Sequence, residues 1–285
     1  MAYILFVILL STSIFICFKL FGKYSVDNRF AITINYLVAA IGGYLITPGS
    51  FSVTDIVEAK WFVPSIFSGI LFTIGFYLFA LSNQKSGVAL TAVASKMSVI
   101  IPVLFGVFSL NEHLSLVKGA GVAFALIALY LTLKKKNDNN KRKNINYLIP
   151  LAIFFVSGII DSSLKFSINK FVENDYTLYL STIFAFALIS GIAISLLRKK
   201  KNFVFPNTRS IIGGVVLGAL NFTNVYCMLR AMDLFQSSIQ FPIQNIGVVA
   251  VSGIVGLILF KEKLSLINWI GIGLSSLAIF LISYP

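Results

Sequence analysis

Most of the chemistry this sequence can offer rests on one lysine, one aspartate and two short polar stripes. Lys96 stands in TAVASKMSVIIPV (91–103), inside an apolar run long enough to cross a membrane. A cation at the centre of a bilayer costs about 2.5–3.5 kcal/mol or more, so such residues face a cavity or a partner. An ammonium there can hold a carboxylate or phosphate on a substrate. It can equally be structural, paired with an acid or set against the carbonyls of a kinked neighbouring helix. Snorkelling is excluded, because either end of the run is about ten residues, roughly 15 Å, away. Asp161 is the one acid deep within an apolar run. It can pair with Lys96 or carry a coupling proton. It can also pair with Lys165 one turn on, the favourable order for a helical Asp–Lys pair.

Amides and hydroxyls make the stripes. Ser237, Gln240 and Gln244 fall on one helical face, with Asn245 beside them and Pro242 among them. Proline removes a backbone hydrogen bond, so a kink is expected there. Polar groups on a bent membrane helix suit a binding wall. Interhelical hydrogen bonding, worth about 1 kcal/mol, is the competing use. Thr91, Ser95 and Ser98 form a milder stripe beside Lys96, and Asn221 and Asn224 add two amides. Glu112 and Glu262 stand just before Ser115 and Ser265, which read as helix N-caps, so both acids are expected to be structural. His113, the single histidine, has no ligand cluster around it. Cys17 and Cys227 offer no zinc site, redox pair or disulfide framework. No cofactor is expected, since no Gly-rich phosphate loop precedes a lysine and hydroxyl residue.

Membrane helices must position these residues. The chain is 58% hydrophobic and 12% charged, with a mean hydropathy of +0.91. Soluble domains are about 45–50% apolar and about 25% charged. The fold class is therefore an all-α polytopic membrane protein. Ten stretches are long enough to span: 2–21, 29–47, 61–82, 86–109, 115–133, 146–168, 176–197, 210–230, 236–260 and 265–284. The first lacks a basic leader and a small-residue cleavage site, so it reads as a membrane helix and not a removed signal.

The chain also repeats itself. NEHLSLVKGAGVAFALIALYL (111–131) and KEKLSLINWIGIGLSSLAIFL (261–281) match at seven of 21 positions with a constant offset of 150. The same offset pairs Phe72-Thr73 with Phe222-Thr223 and Gly106 with Gly256; Ser11 precedes Lys19 by eight, as Ser157 precedes Lys165. Two five-helix halves follow, 1–136 and 146–285, joined by a basic loop at 137–145 within one membrane domain. Five is odd, so the second half enters the membrane inverted. Inverted repeats favour a transporter, whose halves rock about a central site.

With the closing NEHLSL…G and KEKLSL…G segments of the two halves, this pattern resembles the drug/metabolite transporter superfamily and, within it, the EamA-like transporters. The resemblance implies a basket in which the first four helices of each half surround a path and the fifth lies outside. It implies small metabolites as cargo, often moved outward, and a bacterial inner membrane. Small multidrug exporters of the superfamily carry a Glu eight residues before a Lys. Ser11 and Ser157 stand at the matching positions here, which argues against cationic-drug antiport.

Composition settles two further points. The +13 net charge sits largely in 134–143 and 198–201, without aromatic interleaving, so it reads as loops beside anionic lipid and not as a nucleic-acid surface. A membrane-embedded lipid-modifying enzyme would need paired carboxylates, a metal cluster or an activated nucleophile. The expected partners are a small-molecule substrate, membrane lipids and a proton or other coupling ion. The expected function is secondary transport, by alternating access and outward, of an amino acid or organic acid; a lipid-intermediate flippase or a multidrug exporter is the alternative within transport. Sixteen basic residues fall in the odd-numbered connections and four in the even-numbered ones. The positive-inside rule then places both termini outside, whereas the superfamily resemblance implies both inside. A C-terminal reporter active only in the cytoplasm is expected to stay dark; fluorescence from it would reverse the orientation.

Overall fold

The computed structural model describes residues 2–49, 51–109, 115–133, 148–172, 176–197, 207–234 and 237–283. Glu112, His113, the 137–145 connection and most of both basic clusters lie outside the described residues. Twelve helices follow one another: α1 (Ala2–Lys23), α2 (Asn28–Ile46), α3 (Val53–Glu58), α4 (Phe62–Lys85), α5 (Val88–Met97), α6 (Ile100–Ser109), α7 (Leu116–Leu133), α8 (Leu148–Phe171), α9 (Tyr176–Leu197), α10 (Thr208–Leu234), α11 (Ser237–Ile258) and α12 (Leu266–Ser283). Among the described residues, nine segments are long and apolar enough to cross a membrane, α5 and α6 counting as one; in α11 the apolar stretch so described is Ile243–Ile258. The chain is thus an all-helical polytopic membrane protein.

Local sequence explains where the helices start. The Asp27 carboxylate accepts the Arg29 N–H at the head of α2, and Asn207 accepts the Ser210 N–H at the head of α10. Ser115 and Ser265 cap α7 and α12, accepting the N–H groups of Lys118 and Asn268 at 3.3 Å each. The short α3, which hydropathy does not reveal, opens with a reciprocal Ser52–Asp55 capping box. Its backbone and hydroxyl donors hold the Asp55 carboxyl below the usual carboxylate range.

Pro64 and Pro102 each stand third in their helices, α4 and α6. N–H groups of a first turn have no intrahelical acceptor, so proline costs nothing there. α11 runs through Pro242 without a break. An interruption falls in the fourth apolar stretch, between α5 and α6.

The helix pairings follow a pattern of exchange. Swap α1 with α8, α2 with α9, α4 with α10, α5–α6 with α11, and α7 with α12. The pairing α1–α10 then becomes α4–α8, α2–α10 becomes α4–α9, and α1–α11 becomes the packing of α8 on α5 and α6. The pairs α2–α9, α5–α11 and α7–α12 map onto themselves. The most extensive pairing is α7–α12, which leans on α5 and α11. There a Cβ on Gly271 would stand 2.6 Å from the Thr132 nitrogen, and one on Gly121 would stand 2.8 Å from the Ile282 nitrogen. Small residues let two backbones meet where lipid supplies no hydrophobic drive. Asn268 adds a bond to the Thr132 carbonyl at 2.7 Å. Gly271→Leu is expected to wedge this pair apart and lower stability by about 1–3 kcal/mol, read as a lower melting temperature in detergent; an unchanged melt would show that the contact is not tight.

Candidate functional site

The site grows out of the interruption. Pro102 cannot donate to the Ser98 carbonyl, so a continuous helix would leave that carbonyl bare in mid-membrane. The chain instead ends α5 and restarts. Ile101 takes the Ser98 carbonyl at 2.9 Å, and Val103 takes that of Val99 at 3.2 Å. Lys96 therefore lies in the last turn of a ten-residue helix and not in the middle of a long one. Unpaired carbonyls at a helix C-terminus favour a cation by about 0.3–1 kcal/mol, and by about 2 kcal/mol when partly buried. The side chain is half-buried.

Asp161 comes from α8. Its side chain is exposed. Its charge attracts that of Lys96. Among the described residues the two form no contact ion pair, which leaves both groups available to a third. One turn before Asp161, Gly158 lies so close to Ile101 that a Cβ would not fit. That approach fixes α8 against the start of α6 and holds the carboxylate near the break.

A cavity of about 600 Å³ is lined by α4, α6 and α8; neither Lys96 nor Asp161 lines it, and its α8 residues lie on the face of that helix opposite Asp161. Its wall is nearly all apolar, with Pro64, Phe67, Ile101, Phe105, Ile159 and Phe166 prominent. Ser162, Ser163 and Ser167 also line it. Ser163 shares a 2.9 Å bond with the buried Ser68, and Ser162 bonds its own helix at Gly158. Val63 and Phe67, at the rim, are exposed, 70% and 53%. The cavity thus lies towards the end of the molecule where α4 begins, with an apolar flank. Hydropathy hides these serines, which share α8 with Asp161 but not its face.

The other candidates are placed less favourably. Thr91 is buried and shares a 2.7 Å bond with Ser82 while bonding the Gly87 carbonyl. Ser95 is turned onto the Ala92 carbonyl. Asn221 donates to Asn35 at 3.2 Å, and Asn224 donates to Ser11 at 2.8 Å, tying α10 to α2 and α1. These amides bridge helices, the competing use named above. Gln244 is buried with its carbonyl oxygen unbonded, and Asn245 is half-buried. The side chains of Ser237 and Gln240 lie outside the described residues. The Lys19 ammonium lies 3.3 Å from Glu262.

No family model matches the chain. It is similar to an uncharacterized protein of Haemophilus influenzae, 29% identical over 288 residues covering 99% of this chain and 97% of that protein. A solved crystal structure superposes with a TM-score of 0.63, covering 98% of this chain and 94% of that one at 14% identity. That likeness shows a shared fold across the whole chain.

The Lys96–Asp161 attraction is open to a double-mutant cycle in detergent. Lys96→Gln and Asp161→Asn are each expected to lower the melting temperature, and the pair together to cost less than their sum. An interaction energy of roughly 0.5–3 kcal/mol is expected; strict additivity would mean that the charges do not couple.

Proposed function

We propose that this protein is a secondary transporter of a small metabolite bearing a carboxylate, an amino acid or organic acid, working by alternating access in the cell membrane. The observation that carries this reading is the attraction between Lys96, in the last turn before a helix interruption, and Asp161 of α8. Discontinuous membrane helices with charged groups at the break are how transporters hold ions and polar cargo near the midplane. Opposite intramembrane charges that attract without forming a contact ion pair suit a ligand that joins them.

The exchange of helix pairings supports the rest. It is the pattern expected of ten spans in two inverted five-helix halves, with the fifth helix of each half outside the basket. It agrees with the resemblance to the EamA-like drug/metabolite transporters, whose outward direction and bacterial inner-membrane setting are carried over with it. The role is transport and not catalysis. Lys96 receives the substrate carboxylate, and Asp161 meets an ammonium group or a coupling proton. The apolar cavity between α4, α6 and α8, with Val63 and Phe67 exposed, keeps the second reading, a flippase for a lipid-linked intermediate, in view.

A thermal-shift screen of the purified protein against amino acids, organic acids, sugars, nucleotide sugars and cationic dyes tests the proposal. A ligand at a hundred times its Kd stabilises by about 2.7 kcal/mol. Carboxylate ligands are expected to stabilise the protein and to lose that effect in Lys96→Gln. Stabilisation by cationic dyes alone would overturn the substrate class.

A further inference from the structure

Glu262 is bonded in a way that a merely structural loop acid does not need. It follows Lys261, whose backbone is left-handed (φ +49°), in the connection from α11 to α12. Its own N–H donates to the Gly256 carbonyl at 2.9 Å. Its carboxylate then leaves its own half of the chain. Oε1 accepts the Val88 N–H at 2.8 Å and Oε2 accepts the Ala89 N–H at 3.3 Å, at the head of α5. The Lys19 ammonium, from α1, lies 3.3 Å from Oε1. Two glycines make the seat. A Cβ on Gly87 or on Gly256 would stand 2.6 Å from a carboxylate oxygen. Gly87 also needs its φ of +110°, a backbone that other residues adopt rarely.

The seat lies at the end of the molecule opposite the cavity mouth, and that end is closed. In the C-terminal halves of α1 and α4, Phe15 stacks on Phe79 at 5.6 Å and Phe18 meets Phe76 at 5.5 Å. Gln84 of α4 donates to the Phe18 carbonyl at 3.1 Å. The partners that replace α1 and α4 under the exchange are α8 and α10, and they barely touch among the described residues. One end is packed while its counterpart is open. The packed end is where a carboxylate from the second half is inserted between two helices of the first.

We infer that Glu262 is a removable pin: seated, it holds this end shut, and the state that opens here requires the carboxylate to leave the α5 amides and Lys19. The inference rests on the two-sided transport reading above. The bonds suit the task. Three charge-assisted contacts close the gap, and all three break together when one side chain swings out. The loop carrying it needs no unfolding to do so.

Thiol labelling in detergent tests the pin without a substrate. In a Cys17→Ser, Cys227→Ser background, Ala92→Cys places a reporter one turn below the seat, where the native alanine is fully buried. Ser163→Cys, made separately, places one in the cavity wall. With Glu262 intact, the cavity reporter is expected to react fast with a water-soluble maleimide and the Ala92→Cys reporter to be protected. Glu262→Gln, and independently Gly256→Ala, which fills the seat from the helix side, are each expected to speed labelling of the Ala92→Cys reporter at least tenfold. Protein that stays monodisperse while this reporter remains protected in both variants overturns the pin. A fall in cavity labelling alongside the rise supports pin and alternation together. A rise with cavity labelling unchanged supports the pin as a closure and overturns the two-sided reading on which it was built.

Discussion

The architecture depends on a helix that is not allowed to continue. Proline at position 102 denies Ser98 its intrahelical donor, and a bare carbonyl in hydrocarbon costs several kcal/mol. Ending α5 and starting α6 removes that problem and creates two helix termini in mid-membrane. The C-terminal one is the natural place for a cation. Lys96 is therefore not a lysine forced into a bilayer; it occupies the single stretch of the fourth segment whose backbone welcomes positive charge. Asp161 supplies the rest of the compensation.

Around this point the helices are held by backbone approach and by amides that cross between them. Asn35–Asn221, Ser11–Asn224 and Ser68–Ser163 each join two helices through side chains. In lipid such bonds average well under 2 kcal/mol each, so no one of them fixes the assembly. They set register, which apolar side chains against apolar lipid cannot. The two carboxylate devices differ in kind. Asp161 is exposed, whereas Glu262 is fully engaged. The molecule thus keeps one acid unsatisfied at its centre and one satisfied at its end.

Much of this was legible in the residues. Nine of the apolar stretches meet the length and hydropathy of a membrane span among the described residues, the fourth as two helices, and Ser115 and Ser265 are the caps their positions imply. Pro102 stands in the first turn of a helix and Pro242 inside one, a difference that the residues alone do not show. Thr91, Asn221 and Asn224 looked like a binding wall because a polar side chain in an apolar run reads the same whether it faces cargo or a neighbouring helix. Only packing separates the two. Glu262 is engaged by helix-head amides and Lys19, partners that its place in the sequence does not name. A loop acid before an N-cap gives no hint that it reaches a helix more than 170 positions away. The cavity was invisible, since it is defined by where α4, α6 and α8 fail to touch.

The two halves also arrive at different times. Asp161 follows Lys96 by 65 residues. At about 5–20 residues per second of synthesis, that is roughly 3–13 s. During that interval the fourth segment sits in or near the translocation machinery with its cation uncompensated and its short half-helices unable to span alone. The nascent first half is thus a waiting intermediate, tolerant of delay but not of abandonment. A ribosome that stalls between α7 and α8 leaves behind a lone buried charge, the kind of feature by which membrane quality control recognises an orphan.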